Sequence, residues 1–154
     1  MIRIICPGKI KDKHLAALID DYIKRINRYH KLEVIEVKDE AINDNDSSDH
    51  IKDKEASRVL DKIDDSDYVI CLDLKGKMYD SVTFAEKMDN LVMKHRRVVF
   101  VIGGSLGIGS ELLERANEKI KISDMTFLHQ MTRLIILEQI YRGFKILNNE
   151  VYHK

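Results

Sequence analysis

The chain is short of the residues that mark several protein classes. One proline, Pro7, and seven glycines in 154 residues leave no room for a disordered, low-complexity segment. There are two cysteines, Cys6 and Cys71, both inside β-like runs. They read as buried free thiols of a cytoplasmic protein, not as a disulfide framework. No run of 18 apolar residues is present, so no membrane span is expected. The start, Met-Ile-Arg-Ile-Ile-Cys, lacks the charged-then-apolar layout of a signal peptide and reads as a strand. There is also no net charge, with 26 basic and 26 acidic residues. A simple nucleic-acid-binding module would be basic, so charge alone does not indicate one.

The neutrality hides an uneven distribution. Residues 1–38 carry nine Lys/Arg and five Asp/Glu, whereas residues 39–67 carry four and eleven. The remainder is mildly basic, +1 over 68–120 and +2 over 121–154. An acidic middle segment therefore masks a basic remainder, and RNA binding stays open.

What is present is an ordinary globular composition, 44% hydrophobic and 34% charged, long enough for one domain over 1–154 with a real core. Ile2–Cys6 predicts a strand, then a turn at Pro7-Gly8. Leu15, Leu18, Ile19, Tyr22, Ile23 and Ile26 recur at helical spacing and predict a helix from Asp12 to about Tyr29. Leu32–Val37 alternates as a half-exposed strand. A polar loop over 39–47 precedes a helix capped by Ser48 and running to about Ile63, with Ile51, Val59, Leu60 and Ile63 inward. Tyr68–Leu74 reads as a strand closed by a Lys75-Gly76-Lys77 turn. A helix opens at Asp80 or Ser81 and runs to about Lys94. Val98–Ile102 has no polar alternation and predicts a strand buried on both faces. A short helix over Ser110–Asn117, a short strand Ile120–Ile122 and a long helix from about Leu128 to Leu147 complete the chain. This alternation predicts an α/β fold, a mainly parallel sheet covered by helices on both faces. The last helix is apolar over more than one stripe, from Met131 and Leu134 to Phe144 and Leu147. A second subunit is the expected cover for its second side.

Candidate chemistry concentrates in the last third. Gly103-Gly104 after a buried strand either lets backbone N–H groups approach a ligand or makes a tight turn. Gly104-Ser-Leu-Gly-Ile-Gly109-Ser110 has the spacing of a P-loop but no lysine before its serine, so a nucleotide triphosphatase is not indicated. The dinucleotide fingerprint fails too, because Gly107-Ile-Gly109 lacks its third glycine. The six histidines form no metal constellation. His14, His30, His50 and His95 read as surface residues, and His129 as a structural hydrogen bond near a helix N-terminus. No Ser-His-Asp or Cys-His set is legible. Arg133, Glu138 and Arg142 interrupt the apolar helix. Glu138 and Arg142, four apart, predict an ion pair, and an arginine on a buried or interfacial helix can also meet an anionic substrate.

Four segments taken together carry a resemblance. Phe100-Val-Ile-Gly-Gly-Ser-Leu-Gly107, Ser123-Asp-Met-Thr-Phe-Leu-His-Gln-Met-Thr-Arg133, Glu138-Gln-Ile-Tyr-Arg142 and Tyr152-His-Lys154 resemble the RlmH family, ribosomal large-subunit pseudouridine N3-methyltransferases of the SPOUT class. The similarity extends to the first strand, to Lys9 and to Leu72–Gly76. The resemblance implies a SPOUT-type trefoil knot, which no general topology rule would suggest. It implies an S-adenosylmethionine (SAM) site at Leu72, Gly103, Ile122, Ser123, Asp124, Met125, Thr126 and Phe127. It implies a homodimer whose active site draws on both subunits, with no metal. The implied substrate is a pseudouridine in a 23S rRNA stem-loop of the assembled ribosome. The chain departs from the family at Leu128, usually proline, and at Gly143, usually alanine.

Pseudouridine N3 must lose a proton before it attacks a sulfonium methyl group, and histidine suits that task. The resemblance therefore suggests His153 as base, Tyr152 against the nucleobase and Arg142 beside the developing anion. Alternatively, His153 and Lys154 only hold the RNA backbone. A non-catalytic ribosome-binding factor of the same fold is the competing expectation, favoured only by Leu128. A transfer-RNA methyltransferase of the same superfamily is disfavoured by the terminal Tyr-His-Lys.

Overall fold

A computed structural model describes residues 1–42 and 46–152. Among them, strands and helices alternate as β1 (Ile2–Pro7), α1 (Lys13–Ile26), β2 (Leu32–Val37), α2 (Ser48–Leu60), β3 (Tyr68–Met78), α3 (Ser81–Lys94), β4 (Val98–Ile102), α4 (Ser110–Arg115), β5 (Glu118–Lys121) and α5 (His129–Leu147). The strands pair in parallel in the order β2-β1-β4-β3-β5. β4 lies at the centre with all five residues buried, as its unbroken apolar run predicts.

Alternate strand residues feed two cores. Ile4, Ile70, Phe100 and Ile120 pack with Ile19 and Ile26 of α1, Phe84 and Met88 of α3, and Ile136 and Ile140 of α5. Ile5, Val69, Val99 and Val101 pack on the other face with Ala56 and Val59 of α2 and Leu112 of α4. The expected two-sided α/β layering is observed. The helix starts follow side-chain caps: Asp12, Ser47 and Asp80 accept from Leu15, His50 and Thr83 backbone N–H groups.

Four local expectations need correction. Ser47, not Ser48, caps α2. Lys75-Gly76-Lys77 is not a turn, because β3 continues to Met78 with a register shift against β5 between Leu72 and Lys77. A Cβ on Gly76 would lie 2.5 Å from the Ile120 nitrogen, so the glycine serves a close approach of two backbones. β5 is Glu118–Lys121 instead of Ile120–Ile122. His30 and His95 are half-buried, not surface residues, and stack near Phe144 and Tyr68. Three residues of the expected 39–47 loop, 43–45, lie outside the described residues.

Cys6 and Cys71 are buried, on opposite faces of the sheet. Burial pushes both thiols from an ordinary 9.0 up to about 12. Unfolded thiols ionise above about pH 9, whereas the folded ones hold their protons, so the contribution to stability is lost as pH rises from 9 towards 12. Native protein at pH 8 should resist iodoacetamide and react at both cysteines in urea. A Cys6→Ala/Cys71→Ala variant should lose stability less steeply than the parent between pH 9 and 11, read from urea midpoints.

Candidate active site

The C-terminal ends of β3, β4 and β5 open onto a cleft of about 730 Å³. This is where open parallel sheets place ligands, and the size suits a small organic molecule. β4 ends at Ile102, and the chain turns back on itself over 103–109. A Cβ on Gly103 would lie 2.7 Å from the Gly107 carbonyl carbon and 2.8 Å from Ile108 Cγ1. The Gly107 N–H donates to the Gly104 carbonyl at 3.1 Å, and Gly107 takes φ +97°, a conformation that favours glycine. The two readings of Gly103-Gly104 therefore merge: the tight turn is what forms the cleft wall.

Of the eight residues expected to hold SAM, the structure gathers seven along this cleft: Leu72, Gly103, Ile122, Ser123, Met125, Thr126 and Phe127. Asp124 stands outside the lining and pairs with Lys121 at 2.6 Å. Ser123 shapes its own segment, its Oγ accepting from the Met125 N–H at 3.1 Å. The opposite end is closed by the start of α5. Its cap residue, Leu128, makes no side-chain cap, so the first N–H groups of a 19-residue helix are left without a capping side chain.

His129 was expected to make a structural hydrogen bond. It does not: its Nδ1 is buried with no partner while the residue lines the cleft. Asp73, Lys75 and Thr132 also line it. The sequence reading gives none of these four a ligand role, and the one available signal is their position beside the ends of β3 and α5.

The residues present fit a SAM-like ligand. Leu72, Ile102, Ile120 and Ile122 provide apolar walls, as a purine ring requires. The uncapped helix start favours a carboxylate. The orphaned Nδ1 of His129 offers one further polar contact.

Arg142 and Tyr152 are not in this cleft. They sit together towards the other end of α5, with the Arg142 guanidinium 4.9 Å from the Tyr152 ring centroid. Arg142 donates to Glu138 at 2.6 Å, the ion pair expected from their spacing. The Tyr152 hydroxyl donates to Glu138 at 3.2 Å and lies 3.5 Å from that of Tyr22. Burial, with Tyr22 and Glu138 alongside, pushes the Tyr152 hydroxyl well above its usual range, so it stays protonated at neutral pH. Glu138 holds the Arg142 guanidinium firmly charged. From His129 to Arg142 the helix rises about 20 Å, and Arg142 does not line the cleft. His153, the expected base, lies outside the described residues.

Arg133 is a correction of another kind. Read as a candidate for an anionic substrate, it is instead 1% exposed and bound to Glu36 at 2.5 Å and to the Gly8 carbonyl at 3.0 Å.

A family model described as "Predicted SPOUT methyltransferase" matches residues 1–153. The chain belongs to the SPOUT methyltransferase family. Curated relatives include proteins named "Ribosomal RNA large subunit methyltransferase H" from Clostridium kluyveri, Alkaliphilus oremlandii and Clostridium perfringens. They are 50%, 49% and 47% identical to this chain, each over 99% of both sequences.

Both departures of this SPOUT chain are accommodated. Leu128 holds φ −56°, a value that proline also adopts, so the start of α5 keeps its direction. Gly143 lies against α3, where an added Cβ would meet Met88 Cε at 3.0 Å, the flexible end of that side chain.

Because Gly103 faces its own loop, even a methyl group there should distort the cleft. Overpacking of about 1–3 kcal/mol corresponds to a loss of about 5- to 150-fold. Gly103→Ala should bind SAM about fivefold or more weakly with an unchanged circular dichroism spectrum. Titration calorimetry checks this, and equal affinity would move the site elsewhere.

Proposed function

We propose that this SPOUT methyltransferase transfers a methyl group from SAM to N3 of a pseudouridine in a 23S rRNA stem-loop, on the assembled ribosome in the cytoplasm, as a homodimer. Full-length identity of about half to relatives named for large-subunit ribosomal RNA carries the substrate class. The cleft at the strand ends carries the cofactor reading. The trefoil knot belongs to the same proposal. In support, segments 103–109 and 122–127, separated by α4 and β5, line one cleft.

SAM, when bound, supplies a methyl group on a sulfonium. The chain's own residues do the rest. The cleft loop and the start of α5 hold the donor. Tyr152, protonated at neutral pH, donates a hydrogen bond or packs on the base. Arg142, kept charged by Glu138, stabilises negative charge as N3–H is lost. His153 takes that proton and leaves N3 with its lone pair. The sulfonium methyl would exchange its bond to sulfur for one to N3, with S-adenosylhomocysteine leaving as a neutral thioether. Zero net charge limits attraction for free RNA, which supports the ribosome over naked rRNA as substrate.

The dimer rests on the distance between the cleft and Arg142. It also rests on an apolar surface left uncovered around α5, including Met131 at 41% exposure, Val82 at 42% and Leu128 at 62%. A partner laid across this face would bring its Arg142 and Tyr152 to the cleft, and about 800 Å² per protomer makes a stable interface.

The direct test is methyl transfer to ribosomes and to naked 23S rRNA, with the modified nucleotide identified by mass spectrometry. Methylpseudouridine should form on ribosomes and scarcely on naked rRNA. SAM binding without transfer to either substrate would restore the ribosome-binding factor. The composite site has its own test. Arg142→Ala and Gly103→Ala proteins should each be impaired, whereas co-refolded mixtures regain activity, because each mixed dimer holds one intact site. About a quarter of parental activity is expected above the unmixed sum. No recovery would place the whole site within one protomer.

A further inference from the structure

The most one-sided positive charge in the sequence lies at the end of α1. Residues 22–32 contain four Lys/Arg and no Asp/Glu. Arg25 is paired with Asp21 at 2.6 Å. Lys24, Arg28 and Lys31 are exposed, and among the described residues none has a carboxylate within ion-pair distance. The helix dipole accounts for a cation in the last turn, Lys24. It does not account for Arg28 and Lys31, which follow the helix. The field of Lys31 reaches the neighbouring amino terminus, where burial first and then Arg97 and Lys31 lower the basicity of the Met1 ammonium.

The patch adjoins the residues proposed to meet the target nucleotide. The Arg25 guanidinium lies 5.7 Å from the Tyr22 ring centroid, and the Tyr22 hydroxyl is 3.5 Å from that of Tyr152. Cations and aromatic rings thus run without a break from Tyr152 to the basic end of α1. No large hydrophobic side chain from residue 22 to 32 is exposed, unlike the core of a protein–protein interface.

We infer that Lys24, Arg28 and Lys31 form a docking surface for the phosphates of an RNA strand flanking the methylated nucleotide. This rests on the rRNA reading above. The surface fixes the strand and carries no base information. It is a positioning device, separate from the methyl-transfer chemistry.

The test compares Lys24→Gln/Arg28→Gln/Lys31→Gln with a control, Lys62→Gln/Lys94→Gln/Lys119→Gln, which removes three exposed cations elsewhere. On ribosomes the first variant should raise KM about tenfold or more, with kcat and SAM affinity unchanged. Its plot of log kcat/KM against log salt concentration should be shallower by about 2 to 3, the slope that three phosphates contribute. The control should match the parent, and Lys24→Arg/Lys31→Arg should keep the parental KM. An unchanged KM and slope in the first variant would overturn the inference and leave the rRNA reading standing. A raised KM with an unchanged slope would also overturn it, since the patch would then meet something other than phosphate. A changed oligomer size by light scattering would reassign the patch to self-association. Absence of transfer by the parent would overturn the rRNA reading and this inference together.

Discussion

Arg133 is the largest side chain fully buried in the protein, and its charge must be met inside it. Burying an unpaired guanidinium costs several kcal/mol. Two groups from the C-terminal end of the sheet meet it, the Glu36 carboxylate of β2 and the Gly8 carbonyl just after β1. The first turns of α5 are thereby fixed over the strand ends. His129 stands one helical turn before Arg133, so the same contact sets where the cleft is closed. The loops of β3, β4 and β5 form three sides of the cleft, and Arg133 determines the fourth. Neither of its two polar partners lines the cleft, so a charge that reads as functional in sequence is architectural in the fold.

α5 then serves two sites at its two ends. Ile136, Leu137, Ile140 and Phe144 anchor it in the core. Its start faces the cleft, and its second half carries Glu138 and Arg142 beside Tyr152. A straight helix cannot bring its own ends together. In the proposed dimer, the second half of a partner's α5 would meet the cleft at the start of this one. The uncovered apolar side chains near its start are what such a partner would bury. On that proposal, association would serve the chemistry as well as stability.

Local features of the fold are legible in the sequence, and non-local ones are not. β2 and β4 match their expected ranges residue for residue, because alternation in Leu32–Val37 and its absence in Val98–Ile102 depend on each strand's own surroundings. Gly103-Gly104 is legible as a candidate from its place after a buried strand, but its partnership with the 122–127 segment is legible only through family resemblance, since no spacing rule links two segments separated by a helix and a strand. Gly76 was misread as a turn because its role is to pass close to Ile120, forty-four positions away. His129 was misread for the same reason: whether an imidazole finds a partner depends on what the fold brings to it. Ser47 and Ser48 differ only in which backbone conformation the chain adopts before α2, and adjacent serines do not distinguish them.

Charge is the property that composition conceals most. The negative excess of residues 39–67 lies in the segments that flank α2, since α2 itself carries three acidic and three basic residues. The exposed cations Lys24, Arg28 and Lys31 lie at and just after the end of α1. A neutral total therefore arises from separate stretches of opposite sign. Exposed charges are largely screened beyond about 10 Å in physiological salt, so long-range attraction to a polyanion is weak for a molecule with no net charge. At contact the local charge acts, and exposed cations meet phosphates that a fitting surface has already brought within reach. The proposed ribosomal substrate would be a surface of that kind, and a free strand would not.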